Sequence, residues 1–295
     1  MYYLIFGLLY LFSLLPWKIL YFFSDCIYVL LYYIIGYRRS VVASNLLIAF
    51  PEKTNEERVA IGKEFYHNFL DTFIETLKFL SISDKAFAKR ISGNFEIFDA
   101  LYASGQNVQI HSGHFFNWEY MNWAVPKYAP FPFIGVYKQI SNKVFNKIIL
   151  DLRQKYHSIM LSTYDFKTTF HQLAKGRYAL GLYADQNPPN TYQAFWLPFF
   201  GKLAPFVTGP EKSARINNTA VVFVHHYRVK RGYYQADFTL ITTTPKDYGR
   251  GQLTKIYVKW LQESIRKKPS NYLWSHKRWK WEFKEDYRKN LIGEI

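Results

Sequence analysis

A histidine and a glutamate five positions apart are the pair in this sequence best suited to chemistry. His114 and Glu119 lie within the stretch Gln109-Ile-His-Ser-Gly-His-Phe-Phe-Asn-Trp-Glu119. An imidazole held by a carboxylate is a general base that can deprotonate an alcohol, and the resulting alkoxide attacks acyl groups. The pair therefore predicts acyl transfer. The spacing alone is weak, because 8 histidines and 22 acidic residues give about half a chance match in 295 positions. The alternative is a buried histidine near an unrelated surface glutamate.

The residues around this pair predict where each side chain lies. Residues 107–111 are typical of a short strand, Ser112-Gly113 of a turn, and the residues from Phe115 onwards of a helix that stops before Pro126. This pattern puts His114 at the helix start. Side chains five residues apart on a regular helix differ by about 140°, but a glutamate one turn into a helix can reach a non-helical histidine before it. We therefore expect Glu119 to contact His114.

Composition indicates one sizeable domain without a disulfide framework. Hydrophobic residues make up 49% of the chain and aromatic residues 20%, and no linker, repeat or low-complexity run divides it after the N-terminus. A disordered chain carries far less apolar bulk. Cys26 is the single cysteine, which excludes an intramolecular disulfide and a multi-cysteine metal site. A domain that faces a reducing cytoplasm is the simplest interpretation.

The N-terminus predicts an attachment to membrane. Residues 1–36 are almost wholly apolar and aromatic, and no small-residue cleavage site precedes Arg38 and Arg39. We expect residues 1–40 to be a hydrophobic membrane anchor and residues 41–295 to be the catalytic domain. By length, one tilted span and a kinked in-plane hairpin are both possible, and a buried core hairpin is the alternative without a membrane. The positive-inside rule puts the two arginines and the domain in the cytoplasm.

The net charge of +16 indicates an anionic partner. Nucleic acid, an anionic lipid surface and an acidic protein all fit such an excess. Residues 274–281 alternate tryptophan with basic side chains, a pattern typical of the headgroup level of a membrane and also of nucleic-acid stacking. Because an anchor precedes the domain, we expect membrane lipids as partners and no nucleic acid.

The order of elements predicts an α/β fold. A capping box at Thr54 and Glu57 opens a helix that packs on the core. Further along, predicted strands alternate with predicted helices: strands near 107–111, 131–137, 158–161 and 178–184, and helices over 115–125, 142–156 and 165–175. A hairpin over 220–229 and 233–243 and a final helix to about Lys268 follow. This alternation predicts a mostly parallel central sheet flanked by helices, with an antiparallel edge.

Ligands of an open α/β sheet collect at the carboxyl ends of its strands, where three polar residues fall. His114, Asp185 and Lys138 each follow a predicted strand. Asp185 is suited to orienting a neighbouring cation or hydroxyl, and the alternative is a turn residue that caps local amides. Lys138 is suited to an anionic headgroup or phosphate, and the alternative is a solvated strand end.

The stretch from His114 to Glu119 resembles the His-x-x-Asn-Trp-Glu signature of the late lipid A acyltransferases, the lauroyl and myristoyl transferase family. Further matches fall in the family's order and approximate spacing: Asn45-Leu-Leu-Ile-Ala-Phe-Pro51, Gly135-Val-Tyr-Lys138, Asp185-Gln186, Leu197-Pro-Phe-Phe-Gly201, Thr208-Gly209 and Trp274-Ser-His-Lys-Arg-Trp-Lys280. The resemblance covers nearly the whole chain, the anchor included. Lys138 stands where the family pattern has an arginine, and Ala204-Pro-Phe-Val lacks a threonine common before the Thr-Gly step.

This resemblance implies a glycerolipid acyltransferase-like fold and an enzyme of the cytoplasmic face of the inner membrane. It would move a fatty acyl group from acyl carrier protein, or another acyl thioester, to a hydroxyl of a phosphorylated glycolipid, the lipid A precursor. His114 would take the hydroxyl proton and Glu119 would fix the imidazole tautomer, without any metal or cofactor. Backbone amides near the Gly113 turn are the candidate oxyanion donors. Substrate-binding residues by this resemblance are Asn117, Lys138, Asp185, Gln186, Thr208 and Gly209, although Thr208-Gly209 also suits an ordinary turn before a helix.

Three functions therefore follow from the sequence. The first is a lipid A acyltransferase, and the second is an acyltransferase of the same fold that acts on an aminolipid, lysophospholipid or glycolipid. The third is a noncatalytic basic protein that binds membrane or nucleic acid. Turnover of an acyl thioester separates the third from the others, and the identity of the acceptor separates the first two.

Overall fold

The computed structural model describes residues 1–293 and contains one large sheet with helices on both faces. The strands are β1 (Ile91–Gly93), β2 (Val108–Ser112), β3 (Phe133–Tyr137), β4 (Ile159–Ser162), β5 (Ala179–Tyr183), β6 (Phe195–Phe199), β7 (Lys202–Phe206), β8 (Ala220–Lys230) and β9 (Tyr233–Thr242). The α-helices are α1 (Tyr2–Leu14), α2 (Trp17–Val29), α3 (Arg39–Ala49), α4 (Asn55–Lys78), α5 (Asp84–Ala88), α6 (Ile97–Ala103), α7 (Trp118–Tyr128), α8 (Lys143–Arg153), α9 (Phe166–Leu173), α10 (Gly209–Asn217) and α11 (Gln252–Lys267). A π-helical turn over Leu30–Ile35 continues α2.

Seven strands form the central sheet in the order β1-β9-β8-β2-β5-β3-β4. The five strands from β8 to β4 run parallel to one another. β9 runs antiparallel to β8 and parallel to β1, so one edge of the sheet is reversed. The predicted α/β fold, with a mostly parallel sheet and an antiparallel edge, is confirmed. Every residue of the central strand β2 is buried, because helices cover both faces of the sheet there.

Two smaller features add to the predicted order of elements. The capping box is confirmed: Thr54 Oγ1 accepts from the Glu57 amide at 3.2 Å and the Glu57 carboxylate accepts from the Thr54 amide at 2.7 Å. A separate antiparallel hairpin of β6 and β7 was not expected from the sequence. Its two-residue turn has positive φ at Phe200 (52°) and Gly201 (74°), which is the turn geometry that joins tightly paired strands.

The helix after His114 differs from the prediction at both ends. α7 begins at Trp118 rather than at Phe115, because the amides of Phe115 and Phe116 donate to carbonyl groups outside the helix. It also continues through Pro126 to Tyr128. A proline removes one helical hydrogen bond, and the carbonyl left without its amide, that of Asn122, accepts from the Ser158 hydroxyl at 3.5 Å. His114 therefore lies in a loop before the helix and not at its first turn.

The N-terminal helices α1 and α2 pack against α4 and leave an apolar outer side exposed. The stretch Trp17–Ile35 has 19 residues and a mean hydropathy of 1.6, so it is long and apolar enough to cross a membrane, and only 22% of it is buried. This exposure agrees with an anchor and not with a core hairpin. The predicted domain boundary after residue 40 stays a prediction, and the last two residues of the predicted domain 41–295 lie outside the described residues.

Candidate active site

Two adjacent parallel strands bring His114 and Asp185 together. β2 and β5 pair with Ser112 opposite Tyr183, so both strands end at the same level of the sheet. His114 and Asp185 each follow two residues beyond that pair. The carboxyl end of the sheet therefore carries an imidazole and a carboxylate side by side, where open α/β sheets bind ligands.

Asp185 holds His114 through both of its carboxylate oxygens. Asp185 Oδ1 lies 2.6 Å from His114 Nδ1, and Oδ2 accepts from the His114 amide at 3.1 Å. The side chain of His114 is 22% exposed and that of Asp185 only 1%, so the imidazole is the member of the pair that a substrate can reach. Burial alone would raise the pKa of Asp185, but the charge and hydrogen bonds of His114 outweigh it and hold that pKa below its usual value. An ionised Asp185 accepts the Nδ1 proton, which leaves Nε2 of the neutral ring free to act as a base.

Glu119 is bound by a cation and not by the histidine. Arg153 Nε donates to Glu119 Oε2 at 2.9 Å and Arg153 Nη2 donates to Oε1. Trp118 Nε1 and Asn122 Nδ2 donate to the same carboxylate at 3.1 and 3.0 Å. Burial alone would raise the pKa of Glu119, but Arg153 and these hydrogen bonds lower it below its usual value. In the described part of the chain, no hydrogen bond or ion pair joins Glu119 to His114.

Asn117 fixes the start of α7 and thereby the position of Glu119. Its side-chain oxygen accepts from the Glu119 amide at 3.0 Å, which caps the helix. Its amide nitrogen donates to Oε2 of the buried Glu75 at 3.2 Å and to the carbonyl of Thr72 at 3.4 Å, both on α4. Asn117 is fully buried and its polar atoms serve the protein. The contacts make it a positioning residue, and the predicted contact of Asn117 with substrate stays a prediction.

The C-terminal segment, residues 271–278, is hydrogen-bonded to the loop that carries His114. The Phe116 amide donates to the Asn271 carbonyl at 2.8 Å, and the Leu273 amide donates to the His114 carbonyl at 3.0 Å. No local pattern in the sequence indicates this pairing, because it joins segments more than 150 positions apart. It holds the backbone at His114 and in the two residues that follow it.

The burial of two tryptophans corrects the interpretation of residues 274–281 as a membrane-facing stretch. Trp274 is 1% exposed and Trp279 is 9% exposed. Trp274 Nε1 donates to the Pro269 carbonyl at 2.6 Å, and the Trp279 ring stacks on Phe199. The membrane interpretation is wrong for these two residues, because alternating aromatic and basic side chains fit a packed core with cationic edges equally well. Trp281 is exposed.

The three backbone amides that follow Gly113 are hydrogen-bonded within the protein. The His114 amide donates to Asp185, the Phe115 amide to the Gly113 carbonyl at 2.7 Å, and the Phe116 amide to the Asn271 carbonyl at 2.8 Å. All three already have acceptors within the protein. These three amides are therefore already occupied, and the expectation that backbone amides near the Gly113 turn serve as oxyanion donors stays a prediction.

An apolar cavity of about 250 Å³ lies at the carboxyl ends of β3 and β5. Its wall includes Tyr183, whose ring centroid is 5.0 Å from that of His114. Its other apolar lining residues come from the ends of β3 and β5, from α9 and from the approach to α10: Val136, Phe166, Leu182, Val207 and Pro210. Walls of this kind suit a hydrocarbon chain and not a charged group.

The chain matches the model of the family described as bacterial lipid A biosynthesis acyltransferase over residues 1–281. The protein belongs to this family. The resemblance drawn from the sequence motifs is thus confirmed, and the matched region includes the predicted anchor, the His114 loop and the C-terminal segment. A comparison with curated proteins gives no match. Membership supports an acyltransferase that acts on lipid A or a related lipid.

The remaining residues predicted for substrate binding in this acyltransferase lie around the same end of the sheet. Lys138 follows β3, is exposed, and sits two strands from β2, or about 10 Å by the usual strand spacing. Gln186 is half-buried beside Asp185. Thr208 precedes α10 and Gly209 lines the apolar cavity. Their contacts with substrate stay predictions.

Sequence reasoning missed two residues that the fold brings to the acyltransferase site. Arg153 falls in the predicted helix 142–156 and Tyr183 in the predicted strand 178–184, and neither was among the candidate site residues. A signal for Arg153 was available: Glu119 lies in a run of residues that are buried from Glu119 to Val125, and a buried carboxylate requires a cation or several donors. Tyr183 has no such signal, because only the register of β2 with β5 sets it against His114.

Three other histidines, which lie in strands of the central sheet, stay uncharged at neutral pH. Burial lowers the pKa of His226 to about 3, and the pKa values of His111 and His225 to about 4. His226 Nε2 lies 2.9 Å from the Phe115 carbonyl, so this ring braces the loop that follows His114. These three histidines therefore have scaffold positions.

Proposed function

We propose that the protein transfers a fatty acyl group from acyl carrier protein to a hydroxyl of a lipid A precursor, at the cytoplasmic face of the inner membrane. The observation that carries this proposal is the His114–Asp185 pair at the carboxyl end of the sheet, together with an apolar cavity at the same end whose lining includes Tyr183, the neighbour of His114. The pair suits the deprotonation of an alcohol, and the cavity suits the acyl chain. The reaction calls for neither a metal nor a redox cofactor.

His114 acts as the general base and then as the general acid. Asp185 holds Nδ1, so Nε2 takes the proton of the acceptor hydroxyl while the oxygen attacks the thioester carbonyl carbon. The tetrahedral intermediate collapses as the carbon–sulfur bond breaks. The Nε2 proton passes to the departing thiolate, which leaves as the free thiol of the carrier. Asp185 stabilises the imidazolium formed between these two steps.

Glu119 contributes through Arg153 in this scheme. Two hydrogen bonds from the guanidinium to the carboxylate fix its plane, and the Arg153 side chain keeps 17% exposure. The charges of Glu119, Arg153 and Asp185 all act on Tyr183, so the four groups share one neighbourhood. A fixed cation there is suited to the oxyanion of the tetrahedral intermediate, a role that the amides after Gly113 leave open.

Positive charge supports both proposed substrates. Acyl carrier protein is acidic and a lipid A precursor is phosphorylated, and the chain carries a net charge of +16. Lys138 is exposed at the site end of β3 and contacts a phosphate of the acceptor in our proposal. Gln186, Thr208 and Gly209 complete the substrate-binding set around the cavity and the strand ends.

A second candidate is an acyltransferase of the same fold that acts on another membrane lipid. Two departures from the family pattern favour it: Lys138 replaces an arginine, and the segment from Ala204 lacks a threonine. Both bear on recognition of the acceptor and neither touches His114. Mass spectrometry of the host's lipids after deletion of the gene identifies the acceptor, because the lipid that loses one acyl chain is the product.

The proposed chemistry is tested with purified protein, acylated carrier protein and the lipid A precursor. His114→Ala should lower turnover by about two to four orders of magnitude, because the proton transfer is lost. Its melting temperature should fall, because Asp185 loses the imidazole and keeps only the His114 amide as a partner, so turnover is compared at a temperature where both proteins are folded. His171→Ala, which removes an exposed imidazole from α9, is the matched control and should leave turnover unchanged. Near-normal acyl transfer by His114→Ala would overturn the assignment, and wild-type protein that never turns over an acyl thioester would favour a noncatalytic binder.

A further inference from the structure

Both ends of α1 are attached to the same domain. The hydroxyl of Tyr2 donates to Asp151 on α8 at 2.8 Å. At the other end, Lys78 Nζ at the end of α4 donates to the carbonyls of Ser13 at 2.7 Å and Leu15 at 3.0 Å. A helix of 13 residues measures about 20 Å, which is less than the thickness of a bilayer's hydrocarbon core. α1 therefore begins and ends on the side of the membrane where the domain lies.

α2 lies alongside α4 and runs in the opposite direction. The Tyr21 hydroxyl donates to Glu75 at 3.0 Å and the Ser24 hydroxyl donates to Asp71 at 2.7 Å. One turn further along α2, the Tyr28 ring stacks on an imidazole of α4 at 3.7 Å between centroids. If α2 crossed the bilayer, α4 would have to cross beside it with its buried acidic residues. α4 is a charged helix of the catalytic domain and is not suited to hydrocarbon.

An ion pair marks the middle of the candidate span. Asp25 lies near the centre of Trp17–Ile35 and pairs with Arg231 at 2.6 Å, and Arg231 also pairs with Asp71 at 2.7 Å. The side chain of Asp25 is 45% exposed and that of Arg231 is 31% exposed. A transmembrane α2 would hold these charges at the bilayer midplane, where ionised side chains are most costly. At the headgroup level the same pair remains hydrated.

The side of α1 and α2 that faces away from the domain is apolar over its whole length. Its most exposed large side chains are Tyr3, Leu4, Leu8, Leu11, Phe22, Ile34 and Ile35. A continuous apolar face of two helices is more than soluble monomers leave in water. Exposed basic residues border it at Lys18 and at Arg38 and Arg39, where they can meet anionic headgroups.

We infer that α1 and α2 lie in the plane of a single leaflet, with their outer face in the acyl region and their polar face on the domain, and that no part of residues 1–39 reaches the far side of the bilayer. The apolar face is thus covered by the anionic membrane leaflet that also contains the acceptor lipid. This inference rests on the proposed function only in that the protein works at the cytoplasmic leaflet. It places the apolar face, the substrate and the site of acyl transfer at one membrane surface.

Lys18 separates the topologies because it lies at the start of the candidate span. In a span or a crossing hairpin, with the domain in the cytoplasm, residue 18 would be at the periplasmic surface. In the in-plane arrangement it is at the cytoplasmic surface. The test uses full-length Lys18→Cys in a Cys26→Ser background, so that residue 18 carries the single thiol, and a membrane-impermeant maleimide. Lys246→Cys in the same background is the control, because residue 246 is exposed on the domain.

We expect both thiols to react in inverted inner-membrane vesicles and neither in right-side-out vesicles. Labelling of Lys18→Cys, but not of Lys246→Cys, in right-side-out vesicles would overturn the inference. A Lys18→Cys thiol that reacts in detergent but in neither kind of vesicle would also overturn it, since residue 18 would then lie within the hydrocarbon. Acyl transfer is measured on the same preparations. Normal turnover combined with labelling of Lys18→Cys in right-side-out vesicles rejects only the in-plane arrangement. Labelling of Lys18→Cys in inverted vesicles without turnover rejects only the proposed function.

Discussion

Asp185 and Glu119 are both buried carboxylates of the candidate site, yet they have different partners. Asp185 follows β5 and contacts the imidazole of His114, whereas Glu119 lies in the first turn of α7 and contacts the guanidinium of Arg153. Both keep a pKa below the usual value despite burial, in one case mainly through a histidine and in the other mainly through an arginine. The position in the fold, and not the residue type, therefore determines which carboxylate contacts the imidazole.

The difference has a geometric cause. Neighbouring parallel strands end at the same level, so residues that follow β2 and β5 meet without any further adjustment. The direction of a side chain in the first turn of a helix depends instead on the residue at which the helix begins. The cap at Asn117 starts α7 at Trp118, and the carboxylate of the next residue then reaches the end of α8.

Asp185→Asn should have the largest effect among the carboxylate variants. An asparagine of the same shape can donate a proton to Nδ1, which favours the tautomer with its proton on Nε2 and removes the base. Turnover should fall by about two to four orders of magnitude, with substrate KM little changed. The measurement is steady-state acyl transfer with thermal unfolding in parallel. Asp247→Asn, on an exposed acidic residue far along the chain, is the control, and full activity of Asp185→Asn would show that His114 does not depend on this carboxylate.

Glu119→Gln should have a smaller effect on turnover and a different signature. The glutamine leaves Arg153 without its buried counter-charge, so we expect a loss of about 3 kcal/mol in stability and about a ten- to hundredfold loss of turnover. The pH profile of the remaining activity should keep its shape, because Asp185 still holds His114. If the acidic limb of the pH–activity profile moves in Glu119→Gln but not in Asp185→Asn, then Glu119, and not Asp185, orients the imidazole of His114.

The sequence predicted the strands of the central sheet and the position of His114 just after one of them, because both depend on local pattern. Buried parallel strands read as continuous apolar runs, and the residue after each run is the one that reaches a ligand. The partner of His114 depends instead on which strands are adjacent. β5 follows β2 by about 70 positions, and nothing in the local pattern of either strand states that they pair. The sequence therefore supplied Asp185 and His114 as separate candidates and paired His114 with the nearest acid along the chain.

The two ends of α7 show the same limit on a smaller scale. The start at Trp118 depends on hydrogen bonds from Phe115 to Gly113 and from Phe116 to Asn271, and the second of these is a long-range contact. The continuation through Pro126 depends on Ser158, which lies outside the helix. Local propensity predicts that a helix is present, and contacts across the fold decide where it begins and ends.

Lys138→Ala should have the smallest effect on turnover itself, because it acts mainly on KM, and it sharpens the comparison from the substrate side. Both buried carboxylates are bound by protein partners, whereas in the described part of the chain no carboxylate lies within ion-pair distance of Lys138, so its charge is available to an anionic ligand. Loss of a charge-assisted contact should lower kcat/KM by about ten- to a hundredfold, mainly through weaker acceptor binding and a higher KM. Lys246→Ala is the control for a general change of surface charge. A dephosphorylated acceptor should be used about equally poorly by the wild type and by Lys138→Ala, because neither can then form the contact. If Lys138→Ala still lowers kcat/KM by the same factor on that acceptor, the lysine does not bind the phosphate. It then contacts the acyl donor or stabilises the fold at the end of β3 instead.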